Sequence, residues 1–137
     1  MLKSLLLLSA AILVALTPTH ALAAGPQDPT APQVAPNATN PVKPTAESQA
    51  KAKSVYQIDC AMCHGDNGDG KTDLAKSMGV VLPDFADPKV LANVPDGDLF
   101  NIIRNGKGDK MPPEAAGRAG DTVVWNLIHY LRGFAKH

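Results

Sequence analysis

Cys60-Ala61-Met62-Cys63-His64 is the stretch that decides how the rest of this 137-residue chain is interpreted. It contains both cysteines of the chain and places an imidazole directly after the second one. This spacing is typical of a c-type haem attachment site, in which each thiol forms a thioether with a porphyrin vinyl group and the histidine ligates the iron. The motif therefore predicts one covalently attached haem c, held by Cys60, Cys63 and His64.

Three other kinds of site share part of this pattern. A thioredoxin-like redox site needs a strand-helix-strand setting, whereas the motif is preceded by a helical pattern and followed by a glycine-rich one. A zinc site normally has four ligands, and no second cluster of Cys or His lies nearby in the sequence. A disulfide within the motif would close a loop too small to add much stability. Haem attachment is the interpretation that also uses the adjacent histidine.

The N-terminus has the order of a secretory signal. Lys3 precedes an apolar run from Leu5 to Leu16, and small residues lead to Ala21-Leu22-Ala23. This order is typical of a signal peptide with an A-x-A-like cleavage site, and the run is shorter than the ~20 residues of a membrane span. We expect residues 1–23 to be a signal peptide that exports the protein to the periplasm, with an uncleaved membrane anchor as the alternative.

Two further regions follow the signal. Residues 24–46 contain six prolines among Ala, Thr, Gln and Asn, and such a segment buries too little apolar surface to offset the entropy of ordering it. We expect a disordered linker there, which is either a tail without a role or a tether. Residues 47–137 form one predicted domain. With 13 basic and 13 acidic residues in the chain, nucleic-acid binding is not indicated.

Helical periodicity runs through the predicted domain, and no strand-like alternation of useful length is present. The pattern therefore predicts an all-α fold. We expect Tyr56 and Cys60 to share one helical face, Asp96 to cap a helix, and Asn105-Gly106 to end it. The predicted helices are residues 47–59, a short helix capped by Thr72 or Asp73, residues 96–105, and a last helix from Asp121 with an apolar stripe of Val124, Leu127, Ile128 and Leu131.

A second axial ligand would decide the chemistry of the iron. The candidates are Met62, Met78, Met111, His129 and His137. Met62 lies inside the attachment loop, on the same side of the iron as His64, and so cannot reach the opposite face. His129 falls on the polar side of the last helix and His137 is the final residue, so neither is favoured as a ligand. Met78 shares a helix face with Leu74, which is typical of packing. Met111 stands in a loop followed by two prolines, so it is the preferred ligand and Met78 is its main rival.

Several short motifs carry a family resemblance over residues 47–137. They are Tyr56 four residues before Cys60, the haem motif itself, Asp98-Leu99-Phe100 through Asn105-Gly106, Lys110-Met111-Pro112, and Tyr130-Leu131-Arg132. In these the chain resembles the class I monohaem cytochromes c of bacteria. The resemblance implies a cytochrome c fold of three to four helices packed around one haem, with the first and last helices crossing in close contact at Ala52. It also implies that a carbonyl near Leu82-Pro83 accepts a hydrogen bond from the His64 ring.

The resemblance further implies a function. With His64 and Met111 both bound to the iron, oxygen and peroxide have no site. We expect a monomeric one-electron carrier, not an enzyme, that works between redox proteins such as a quinol-oxidising membrane complex, a dehydrogenase, an oxidase or a reductase. Two alternatives stay open: a haem subunit of a larger oxidoreductase, and an open-site haem enzyme or gas sensor. Lys71, Lys107 and Lys110 either steer a partner or are simply solvated.

Overall fold

The computed structural model describes residues 33–135, and over this part of the chain the predicted all-α fold is confirmed. The elements are α1 (Ala46–Val55), a π-helical turn (Tyr56–Cys60), α2 (Ala61–His64), α3 (Asp73–Ser77), α4 (Pro88–Ala92), α5 (Asp96–Asn105) and α6 (Asp121–Phe134). The continuous helical run 46–64, α5 and α6 are the three long units. None of the described helices has the length and apolar character needed to cross a membrane. The predicted signal peptide, the first part of the predicted linker and His137 lie outside the described residues.

The first helix begins with a reciprocal cap. The Thr45 side chain accepts from the Ser48 amide at 3.1 Å, and the Ser48 hydroxyl accepts from the Thr45 amide at 2.9 Å, so both ends of the capping box are made. At Tyr56 the helix widens into a π turn, in which the Ala61 amide reaches back to the Tyr56 carbonyl. Tyr56 begins this π turn and Cys60 ends it, so the two residues lie about one turn apart, and their expected common face stays a prediction.

The core lies where α1 and α5 pack against α6. Ala52 is fully buried at 0% exposure, which fits the close contact between the first and last helices. The predicted stripe of α6 is buried throughout: Val124, Leu127, Ile128 and Leu131. Phe100 of α5 stacks on Trp125 of α6 with ring centroids 4.5 Å apart.

The capping residues of α3, α4 and α5 agree with the sequence prediction at only one of the three helices. Thr72 caps α3 by accepting from the Ala75 amide, as predicted. Asp96 does not cap α5, since Pro95 occupies that position. The Asp96 carboxylate instead accepts from Arg132 Nε at 2.7 Å and so ties α6 to the start of α5. Helix α4, which begins at Asp87-Pro88 with Asp87 as its cap, was not predicted.

Residues 33–45 lie on the helices, in contrast to the mobile linker that their composition predicts. The Asn101 side chain donates to the Val34 carbonyl at 2.9 Å and accepts from the Val34 amide at 3.0 Å. The Gly97 amide donates to the Ala38 carbonyl at 3.0 Å. The physical reason is that hydrogen bonds join this segment to residues of α5 and α6, and that Val34, Ala38 and Val42 pack against the core. A count of apolar residues does not register such long-range bonds.

His129 is also placed differently from its predicted solvated position. It is half-buried on α6, and its Nε2 atom lies 2.9 Å from the Val42 carbonyl oxygen. Asn126, one helical turn before His129, is buried and accepts from the Ser48 hydroxyl at 2.7 Å. These two polar residues of the last helix therefore face the N-terminal segment and α1.

Candidate functional site

The three residues of the predicted attachment site lie on consecutive helical turns. Cys60 ends the π turn, and Cys63 and His64 end α2. Cys60 and Cys63 are free thiols, and both are half-buried. Among residues 33–135, no three side chains of His, Cys, Asp or Glu converge as a metal site would require. The two thiols and the imidazole are thus neighbours along the helix but do not share one coordination point.

The chain folds back immediately after His64. Gly65 has φ 81° and ψ 151°, a conformation that favours glycine, and its carbonyl accepts from the buried Tyr56 hydroxyl at 2.7 Å. The Gly70 amide donates to the His64 carbonyl at 2.8 Å. The Thr72 hydroxyl donates to the Cys63 carbonyl at 3.0 Å. These bonds satisfy backbone carbonyls at the end of α2 and hold the motif rigidly in the fold.

His64 is fixed by stacking. Its ring lies on Phe85 with centroids 5.1 Å apart and planes 18° from parallel. Burial lowers the pKa of His64, which favours the neutral imidazole that can donate a lone pair to a metal. Within the described residues 33–135 the buried Nδ1 atom has no hydrogen-bond partner, so the expected bond to a carbonyl near Leu82-Pro83 is not formed. The carbonyl oxygens of Leu82 and Pro83 lie instead against Gly70, and each would be 3.2 Å from a Cβ atom added to that glycine.

The Cys60 thiol is not activated. Burial and then the charges of Glu114 and Asp59 raise its pKa to about 12, so the thiol stays protonated at neutral pH. Reactive cysteines of disulfide oxidoreductases have a lowered pKa and a positive surrounding. The electrostatics at Cys60 therefore oppose a thioredoxin-like role and are compatible with a thiol that is consumed in a thioether bond.

Met111 stands in a loop that is anchored at both ends to the C-terminus of α5. The Lys107 amide donates to the Met111 carbonyl at 2.9 Å, and the Glu114 amide donates to the Ile103 carbonyl at 2.9 Å. The side chain of Met111 is half-buried and packs against the hydrophobic core. The other methionine candidates are more exposed: Met62 is 63% accessible and Met78 is 37% accessible.

The residues after Met111 contact the start of the haem motif. Arg118 donates to the Asp59 carboxylate at 2.9 Å, and Glu114 acts electrostatically on Cys60. Sequence reasoning missed this cluster, because the residues are far apart in the chain. It also missed Arg104, which is 2% exposed and donates to the Glu114 carbonyl at 2.9 Å. Its only sequence signal was a basic residue in the last turn of α5.

The residues present fit a c-type haem. Cys60 and Cys63 provide two half-buried thiols, and His64 provides a neutral imidazole directly after them. Met111 provides a sulfur atom in an anchored loop. These are the groups that attach and ligate a haem of this type. The large apolar side chains that the described part leaves exposed are Ile58, Met62, Met78 and Val81. Met62 lies inside the motif, and Ile58 lies two residues before Cys60. Exposed apolar surface of this kind is typical of a region that a hydrophobic group or a partner covers.

Comparison with known proteins assigns the family. Residues 47–131 match the family model described as Cytochrome C oxidase, cbb3-type, subunit III. The chain belongs to this family. The resemblance to class I cytochromes c is thereby confirmed, and the cytochrome domain implies haem c as its cofactor.

The relatives of the cytochrome domain are much longer proteins. The cbb3-type cytochrome c oxidase subunit CcoP of Azospirillum brasilense is 33% identical over 86 residues, which is 63% of this chain and 28% of the relative. Subunit FixP of Rhizobium etli is 33% identical over 87 residues, which is 61% of this chain and 28% of the relative. The chain thus spans less than a third of the length of these curated relatives.

Solved structures share the fold of the cytochrome domain. The KustC0563 c-type cytochrome has a TM-score of 0.53 and 29% identity, covering 61% of this chain and 95% of its own. A chain of the Kuenenia stuttgartiensis reducing HAO-like protein complex has a TM-score of 0.58 and 27% identity, covering 75% of this chain and 50% of its own. Family and neighbours together support a haem c electron-carrier role.

Proposed function

We propose that the protein is a one-electron carrier with one haem c, bonded to Cys60 and Cys63 and ligated by His64 and Met111. A haem held in this way supplies a reversible couple between ferric and ferrous iron. The observation that carries the proposal is the position of the half-buried His64, whose pKa is lowered by burial, directly after the half-buried Cys60 and Cys63 on consecutive helical turns. In this role the chain binds, orients and shields the cofactor and does not transform a substrate.

The choice of Met111 over Met78 rests on how each is held. Met78 follows α3 as its cap and is more than a third exposed. Met111 is half-buried, and its backbone is fixed by the pair with Lys107. A ligand loop has to keep its sulfur in place in both oxidation states, so the anchored residue is the better candidate. Two filled axial positions would exclude oxygen chemistry and favour simple electron transfer.

Partners would dock where the motif reaches the surface. Ile58 and Met62, each about two-thirds exposed, provide apolar contact area beside Cys60 and Cys63. Lys71, Lys107 and Lys110 either steer a partner or are simply solvated, and two of them have nearby counter-charges: Lys71 lies 3.4 Å from Asp84 and Lys110 lies 3.3 Å from Asp109. These counter-charges weaken the steering of a partner by positive charge. We propose export to the periplasm and redox proteins as partners.

Replacing the sulfur ligand tests this proposal. Met111→Ala should lower the midpoint potential by roughly 59 mV or more, a tenfold change in the reduction equilibrium, and should let the ferrous protein bind carbon monoxide. Met78→Ala is the matched control and should keep the potential and resist carbon monoxide. If the wild type binds carbon monoxide readily, the open-site haem enzyme or gas sensor is the correct function. If only Met78→Ala changes the potential, Met78 is the ligand.

A second candidate is a haem subunit of a larger oxidoreductase. It is favoured because the relatives CcoP and FixP are themselves named as oxidase subunits. Size-exclusion chromatography of a native extract, followed by haem staining, separates the two. Elution at the mass of one chain supports the monomeric carrier, and elution with a larger complex supports the subunit.

A further inference from the structure

Two nearly buried carboxylates lie together beside the first attachment cysteine. The side chains of Asp59 and Glu114 are each only 10% exposed. Asp59 comes from the π turn directly before Cys60, and Glu114 comes from the end of the Met111 loop. One cation is shared between them, since Arg118 lies 2.9 Å from Asp59 and 3.6 Å from Glu114. Two acids therefore face one arginine that is itself 61% exposed.

Glu114 is the less well satisfied of the two acids. Its Oε1 atom is buried and makes no hydrogen bond among the described residues, because the contact with Arg118 is too long for one. Burial and the charge of Asp59 raise the pKa of Glu114, although Arg118 and Arg104 oppose the rise. A nearly buried carboxylate without a hydrogen bond is held in its charged form at a cost, and it gains from binding a proton.

We infer that Glu114 takes up a proton when the neighbouring haem is reduced, so that the midpoint potential depends on pH. The inference rests on the proposed haem site, because Glu114 senses the iron only if the porphyrin is bonded to Cys60. The link to Cys60 is already present in the structure, where Glu114 is the charged neighbour that most strongly affects that thiol.

The step balances with one electron and one proton. A reduced redox protein, or a chemical one-electron reductant in a titration, gives its electron to the ferric iron. The site then carries one more negative charge, which increases the proton affinity of nearby carboxylates. A proton from solvent then bonds to a Glu114 oxygen, and oxidation returns both. Because the exposed Arg118 borders Asp59 and Glu114, solvent protons reach Glu114 over a short path.

The other charged groups around Glu114 set the pH range over which the midpoint potential changes. Asp59 faces Glu114 from the π turn, Arg118 from its own loop and Arg104 from α5. Arg104 is largely committed elsewhere, since it donates to the Glu114 carbonyl and to the Asp121 carboxylate at 2.8 Å. Removing Asp59 should move the pH-dependent region to lower pH, and removing Arg118 should move it to higher pH.

Spectroscopic redox titration of the haem-loaded protein from pH 4 to 9 tests the inference. The wild-type potential should fall with rising pH over one limited region, with a slope of up to 59 mV per pH unit, which is a tenfold change in the equilibrium for one proton per electron. Glu114→Gln should remove this region and hold the potential at its low-pH value. An infrared band of a protonated carboxyl should appear on reduction and be lost in this variant.

Matched variants separate Glu114 from other acids. Asp73→Asn removes one negative charge from a fully exposed side chain and should leave the pH profile unchanged. Asp59→Asn and Arg118→Gln should shift the profile in opposite directions. The inference is overturned if Glu114→Gln keeps the wild-type slope, or if those two variants shift the profile the same way. Absence of any reversible one-electron couple would instead overturn the proposed function.

Discussion

Gly106 joins α5 to the Met111 loop, and its replacement by alanine tests how that loop is positioned. Its backbone has φ 75° and ψ −178°, a region that is essentially restricted to glycine. A Cβ at this position would lie 2.3 Å from the Met111 carbonyl oxygen and 3.0 Å from the backbone of Pro112 and Pro113. These are backbone atoms, so the clash can be relieved only by moving the loop itself.

The size of the effect follows from two contributions. The backbone conformation alone costs a non-glycine residue about 1–3 kcal/mol. Moving the loop also weakens the hydrogen bond between Lys107 and Met111, at about 1 kcal/mol. We expect Gly106→Ala to lower the free energy of unfolding by about 3 kcal/mol. Gly108→Ala is the matched control, because Gly108 also has a positive φ, 64°, but no atom of the part of the chain that the structure describes lies within 4 Å of its added Cβ. This variant should cost about 1 kcal/mol.

Equilibrium unfolding in guanidinium, followed by circular dichroism of the ferric protein, measures both losses. The far-red absorption band of a sulfur–iron(III) bond reports on Met111 in the same samples. We expect Gly106→Ala to lose much of this band and Gly108→Ala to keep it. Equal losses of stability and equal bands in the two variants would refute the reasoning that Gly106 positions Met111.

Two further variants test contacts around the core. Asn101→Ala removes both hydrogen bonds to Val34 and should lower the free energy of unfolding by about 1–2 kcal/mol. Hydrogen-exchange mass spectrometry should then show faster amide exchange in segment 33–45. Unchanged exchange would show that other contacts hold the segment. Tyr56→Phe leaves the Gly65 carbonyl without its donor and should cost about 1–2 kcal/mol in chemical denaturation. Burial raises the pKa of Tyr56 above its ordinary 10.0, so its neutral phenol stabilises the fold fully below pH 10 and less as pH rises further. The phenylalanine variant should therefore lose less stability than the wild type between pH 9 and 11, and an equal loss would contradict this.

Much of the helical framework could be predicted from the sequence because it depends on local periodicity. The apolar stripe of α6, the Thr72 cap and the end of α5 at Gly106 each arise from residues within one or two turns of one another. The motif from Cys60 to His64 is equally local. Its chemical meaning depends on residue types and spacing, which a sequence displays directly.

The features that were missed depend on contacts between distant residues. Arg118 meets Asp59 across 59 positions of chain, and Asn101 meets Val34 across 67. No periodic pattern encodes such pairs. The π turn was missed because residues 56–60 have a sequence that an ordinary helix would also accept. Helix α4 was missed although its Asp-Pro start signal is present, since five residues are too few to show a period.

Covalent attachment of one haem to Cys60 and Cys63 is the central claim, and the mass of the denatured protein tests it most directly. The protein should be produced in a host that attaches c-type haem. We expect the mass of the mature chain plus one haem, and the mass of the chain alone when both cysteines are replaced by serine. A wild-type mass equal to that of the chain alone, or haem that acid acetone extracts, would contradict the claim.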